Sequence, residues 1–141
     1  MIAYAILKQI TEDIEGFELD TNCFYEELPL SSGGKPAQGV WVVTRGGSIR
    51  NTAKGLNQRA TLDFYVAFAN KIQTDSAHQA ISKWLRDNPT ICELEGQVSK
   101  GTYDFTNIRL FPTSTPQNFG ATENGVIVKF ASVDVIYDEQ N

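Results

Sequence analysis

Between residues 60 and 69, Leu62, Phe64, Val66 and Phe68 alternate with Thr61, Asp63, Tyr65 and Ala67. A period of two fits a strand with one buried face, because a helix would scatter those four apolar side chains around its circumference. Just upstream, residues 40–44 form a run of β-branched and aromatic side chains, VWVVT, which predicts a second and more fully buried strand. An antiparallel pair is the economical arrangement. Its connection, residues 45–59, is too polar and too rich in Gly and Asn to hold a core of its own. Compact hairpins need about two to five loop residues, and connections beyond about twelve to fifteen are usually functional or disordered. Function is therefore to be sought first in this excursion.

The excursion is also where the charge separates. Arg45, Arg50, Lys54 and Arg59 lie in it with no Asp or Glu, so it carries +4 within a chain whose net charge is -5, which leaves -9 on the remainder. A basic protrusion on an acidic body suits self-association or an acidic partner; broad coating of nucleic acid calls for a basic domain. A solvated, flexible loop is the simpler alternative reading. At 141 residues the chain has the size of a single domain, residues 1–141, with one sizeable core. No apolar run approaches the roughly 18 residues of a membrane helix, and the start lacks the pattern of a signal peptide, so an intracellular origin or a mature virion component is expected.

The remaining elements follow from periodicity and punctuation. Ala3, Ile6, Leu7, Ile10, Ile14 and Phe17 share one helical stripe and predict an amphipathic helix over residues 2–17, stopped at Gly16. Residues 22–26 predict a short strand, and the segment to residue 39 is a loop rich in Gly and Pro. A second helix is expected to open at Thr74, Asp75 or Ser76, with Ser76 and Gln79 forming a capping box, and to end at Asn88-Pro89. Its apolar stripe is Ala77, Ala80, Ile81, Trp84 and Leu85, with Trp84 as a core anchor. Strands are predicted over 90–95 and 105–111, joined by a turn-rich connection over 96–104. After a loop over 112–125 comes a closing segment, 126–137. In that segment Val126, Val128 and Phe130 have the opposite parity to Val133, Val135 and Tyr137, and a bulge near Ala131-Ser132 would keep both halves on the core. The fold class is thus α+β: a mainly antiparallel sheet, two amphipathic helices packed on it, and a long basic β-hairpin excursion.

Chemistry is hard to find in the sequence. Cys23 and Cys92 belong to no CxxC or Cys/His pattern and read as ordinary reduced, partly buried thiols. His78 is the single histidine and is expected on an exposed or flanking side of its helix, where it would have to serve alone as ligand or base. Glu26, Glu27, Asp104, Asp134, Asp138 and Glu139 lack ligand spacing. No GxSxG, GxxxxGK[ST] or GxGxxG pattern occurs, so neither catalysis nor a metal or nucleotide cofactor is expected. A small nucleic-acid-binding accessory protein is the rival class, with the four cations on phosphates and Tyr65 or Phe119 stacked on bases.

The order of elements carries a resemblance. The amphipathic helix, the FYE strand and Gly/Pro loop, the polar excursion, the LDFYVAFAN strand, the capped helix ending in WLRDNP and the terminal β segments resemble phage tail terminator proteins, including those labelled minor capsid proteins. The resemblance implies a small α+β subunit that forms a homo-oligomeric, hexameric ring in the virion at the head–tail interface. Such a ring caps the tail tube, ends its polymerisation and docks to head-completion or neck proteins, while DNA passes through without specific binding. It further implies that Arg45, Arg50, Lys54 and Arg59 lie at a subunit or tube interface, with no membrane contact. Neck and tail-tube subunits share similar small folds and remain alternatives.

Overall fold

The computed structural model describes residues 2–25, 38–46, 57–98, 101–113, 117–121 and 127–140. Along the chain these form α1 (Ile2–Asp13), β1 (Cys23–Tyr25), β2 (Gly39–Gly46), β3 (Gln58–Phe68), α2 (Lys71–Asp87), β4 (Thr90–Val98), β5 (Gly101–Pro112), β6 (Gln117–Ala121) and β7 (Ile127–Gln140). The strands make one curled sheet in the order β1-β2-β3-β7-β5-β4, with β6 paired to β7 off that path. All pairs are antiparallel except β1 with β2. The α+β class read from the sequence is therefore the observed one.

The hairpin of β2 and β3 sits where its pattern demands. Val40, Val42, Ala60, Leu62, Phe64, Val66 and Phe68 are buried under the helices. Across the next boundary Leu62 and Phe64 face Val133 and Ala131. Directly opposed residues share a sheet face, so β2, β3 and β7 present one continuous apolar layer. Helix α1 buries Ile2, Ala3, Ala5, Ile6, Leu7 and Ile10. It touches β1 and β2 at one end of the strand order and β4 at the other, so the sheet curls around it. Helix α2 lies over β3, β7 and β5, where Ile81, Trp84 and Leu85 are buried. Each large apolar side chain so buried contributes about 1.5–3 kcal/mol.

Local geometry fixes two approaches. At Gly39 a Cβ would stand 2.6 Å from the Asn22 carbonyl oxygen and 3.1 Å from the Phe24 ring. A side chain there would separate β1 from β2, because Val40 N–H donates to that same carbonyl at 2.7 Å. After α1, Gly16 takes φ +92, which only a residue without Cβ adopts freely.

Several boundaries differ from the sequence reading. Helix α1 ends at Asp13, short of Phe17; Ile14 and Phe17 still pack against the core from the turn that follows. Helix α2 opens at Lys71, five residues before Ser76, because Asn70 caps it: its Oδ1 accepts from Ile72 N–H at 2.8 Å and Gln73 N–H at 3.4 Å. The early start is held by Thr74, fully buried, whose hydroxyl donates to the Phe68 and Asn70 carbonyls. His78 is buried, not flanking, and its Nε2 lies 3.1 Å from the Phe130 carbonyl. Most of the connection expected over 96–104 is strand, and the loop expected over 112–125 contains β6.

The bulge is in a different strand from the one expected. Register between β3 and β7 runs unbroken from Gln58↔Tyr137 to Phe68↔Ile127, so no residue of β7 is extra there. Instead β5 slips between Thr106 and Arg109 against Asp138 and Ile136. Asn107, at φ +50, sits in that slip. The slip brings Phe105, Ile108 and Leu110 all into the core, although Phe105 has the opposite parity to the other two. Val128 and Phe130 keep their parity and belong to the sheet face away from the helices.

Candidate interaction surface at the root of the basic segment

The face of the sheet away from the helices carries a row of rings. Trp41 stacks on its cross-strand partner Tyr65, with centroids 5.0 Å apart and planes at 14°. Tyr65 is followed by its own partner Phe130 at 5.9 Å. Beside the row lies a buried polar group. Asp63 is 4% exposed; its Oδ1 accepts from the Ser132 hydroxyl at 2.5 Å and its Oδ2 lies 2.9 Å from Arg45 Nε. A carboxylate shut from water requires such partners. Tyr65 is held above its usual pKa by burial first and by the Asp63 charge second, with Arg45 opposing.

The other strand of the hairpin repeats the arrangement more loosely. Arg59 Nη2 is 3.9 Å from Asp134 Oδ2, and Asp134 Oδ1 accepts from the Thr61 hydroxyl at 2.7 Å. Arg45 is thus engaged by the chain's own buried carboxylate and Arg59 by a half-buried one. Both belong to strands, in β2 and β3, so the hairpin begins inside the stretch expected to be loop. Arg50 and Lys54 lie outside the described residues.

Where β3 begins, a third cluster fixes the chain. Asn57 takes φ +55, and its N–H donates to Asp138 Oδ1 at 2.8 Å. Asn107 Nδ2 donates to Asp138 Oδ2 at 3.0 Å, and Arg109 Nη2 donates to Asn57 Oδ1 at 3.2 Å. The bulge in β5 has a purpose here: it turns Asn107 toward Asp138. That side-chain hydrogen bond first, and the Asn57 N–H second, hold Asp138 below the usual carboxylate range. The cluster borders a cleft of about 400 Å3 lined also by Thr90, Ile91 and Cys92. Its polar groups bond to one another, which makes it a clamp on the incoming chain.

Other expected chemistry is distributed differently. Cys23 is buried, and burial pushes its thiol up to about 12, whereas Cys92 is exposed on β4. Asp75 pairs with Lys129 across α2 and β7, and that contact holds its carboxyl low. Among the described residues no three His, Cys, Asp or Glu side chains are placed to hold a metal ion. Among them, too, no helix is long and apolar enough to cross a membrane. The Asn57–Asp138–Asn107–Arg109 cluster was not foreseen. Its members are far apart in sequence, Asn107 and Arg109 in β5, Asp138 in β7 and Asn57 just before β3, and a single Asn is only a weak signal for left-handed backbone.

No protein-family model matches this chain, and no curated protein matches it.

Proposed function

We propose that the chain is a structural virion assembly protein at the head–tail joint. In this reading it caps the tail tube as a homo-oligomeric, hexameric ring, ends tube polymerisation and docks to head-completion proteins. The observation that carries the reading is the anchored root of the basic stretch. Both strands entering it are tied to the sheet, by Arg45 to Asp63 on one side and by Asn57 to Asp138 on the other. A stretch with a fixed origin and a net positive charge can reach an acidic neighbour with little orientational entropy to lose. Repetition of one such unlike contact by rotation closes a ring. An acidic body also lets DNA slide through, since it makes no strong phosphate contacts.

The rival reading, a small nucleic-acid-binding accessory protein, has weaker support. Arg45 and Arg59 already face carboxylates, and the Tyr65 ring is stacked on Trp41. Light scattering on the purified chain, alone and mixed with tail-tube subunits, tests the proposal. A ring, or a complex with the tube end, is expected. A strict monomer with no affinity for the tube overturns it.

A further inference from the structure

The bulge in β5 reorients more than one ring. Strand β4 follows β5 through it without a break in register, from Thr90↔Arg109 to Val98↔Gly101. Both strands therefore change parity at one level: Ile91 and Leu94 pack on the core three residues apart, as do their partners Ile108 and Phe105. A regular strand would put such residues on opposite faces. The bulge thus decides which face residues 93–98 and 101–106 turn to the helices. There Leu94 is buried and, with Glu93, borders a cleft of about 340 Å3 against Ala5, Lys8, Gln9 and Glu12 of α1.

Asn107 is the hinge of that change. Between Thr106↔Asp138 and Arg109↔Ile136, β5 has two residues, Asn107 and Ile108, where β7 has only Tyr137. Asn107 takes φ +50, a backbone that a residue with a Cβ keeps only when its surroundings hold it. What holds it is Asp138, whose Oδ2 accepts from Asn107 Nδ2 at 3.0 Å. The other oxygen of the same carboxylate accepts from Asn57 N–H at 2.8 Å, and Asn57 is also left-handed, at φ +55. Arg109, on the near side of the bulge, donates to Asn57 Oδ1 at 3.2 Å. Two left-handed residues from distant parts of the chain thus share one carboxylate.

We propose that Asn57, Asp138 and Asn107 form a latch that couples the start of β3 to the outer half of the β4–β5 hairpin. With Asn57 seated, the Asp138 carboxylate is oriented to hold Asn107 in the bulge, and Leu94 and Phe105 stay in the core. With Asn57 drawn off, the carboxylate turns, Asn107 returns toward extended backbone, and residues 93–98 and 101–106 lose their place against α1. The bulge is the two-state element, since registers with and without it differ by a whole residue. The coupling is reciprocal, so loosening the bulge also loosens Asn57. A contact made on the chain at the start of β3 is thereby felt on β4, three strands away in the sheet. None of this depends on whether copies of the chain form a ring.

Amide hydrogen exchange of the full-length chain, followed by NMR, tests the latch. Asn57→Val, disfavoured at positive φ, unseats the start of β3 without touching Asn107 or Asp138, and Asn57→Gly keeps the backbone there as a control. Exchange in residues 93–98 and 101–106 should rise about tenfold in Asn57→Val and less in Asn57→Gly, with the amides of Val40 and Val42 in β2 unchanged. Asn107→Gly keeps the left-handed backbone but removes the amide that reaches Asp138, so adding Asn57→Val to it should bring no further rise. Acceleration confined to the residues beside Asn57, or spread equally over β2 and the hairpin, overturns the proposal. An equal further rise in the Asn107→Gly background overturns it too. Should Asn57→Val fail to fold, Asp138→Asn, which leaves one acceptor oxygen for two donors, is judged by the same pattern.

Discussion

Arg45 Nε lies 2.9 Å from Asp63 Oδ2, so the first cation of the basic stretch points back onto its own sheet. Asp63 is buried and Arg45 is 61% exposed in its side chain, which makes the carboxylate the dependent partner. Arg45→Ala should therefore destabilise the isolated chain by about 1–3 kcal/mol, the cost of leaving a buried acceptor short of a donor. The shift of the urea midpoint measures it. Arg50→Ala should leave that midpoint within about 0.5 kcal/mol and act on assembly instead.

The helix start gives a paired comparison. Asn70→Ala removes the side chain that accepts from Ile72 and Gln73 N–H and should cost about 1 kcal/mol. Ser76→Ala, at an exposed position inside α2, should cost little or nothing. The reverse order of losses by thermal melting would mean that the helix begins at Ser76, where its sequence pattern alone puts it.

Trp84 donates from Nε1 to Asp13 Oδ2 at 2.8 Å and so ties α2 to the end of α1. Trp84→Phe keeps most of the packing and should cost about 1 kcal/mol, whereas Trp84→Ala should cost about 3–5 kcal/mol. Denaturant midpoints of the two variants separate the hydrogen bond from the buried ring.

Acid should loosen the clamp on the basic stretch. Asp138 is held low by Asn107 and Asn57, so its folded pKa lies below its unfolded value near about 4. Its contribution is fully present above the unfolded pKa and is lost as pH falls through the folded one. In Asp138→Asn the decline of stability below about pH 4 should be shallower than in the parent chain, as urea midpoints down to about pH 2 would record. An unchanged slope would show that the contacts of Asp138 contribute nothing to acid sensitivity.

The two thiols should react unequally. Cys92 is exposed, while Cys23 is buried with a thiol pushed up to about 12. A disulfide reagent at neutral pH should label one thiol in the folded chain and both in denaturant, since thiolate and access are required together.

What could be read from the chain alone was whatever repeats locally. The alternation around Phe64, the stripe through Ile6 and Ile10 and the stop at Asn88-Pro89 each involve neighbours in sequence, and each stands in the structure. The separation of positive charge into residues 45–59 was equally plain. The places where that reading failed involve partners far apart in the chain. His78 is buried because the Phe130 carbonyl, fifty-two residues away, offers it a hydrogen bond. No bulge forms in β7, whose Val128 and Phe130 face away from the helices, while β5 carries an extra residue that lets Phe105 join Ile108 and Leu110 in the core; pattern counting cannot tell a bulged strand from one with apolar side chains on both faces.

Residue types and their spacing settled the element classes, the apolar faces and the sign of the excursion. The packed sheet settled which cations turn back onto it, where β3 is anchored and which strands, among the described residues, end the sheet. Those depend on the order and register of strands, set by long-range burial competing over the whole chain, and no window of sequence contains that information.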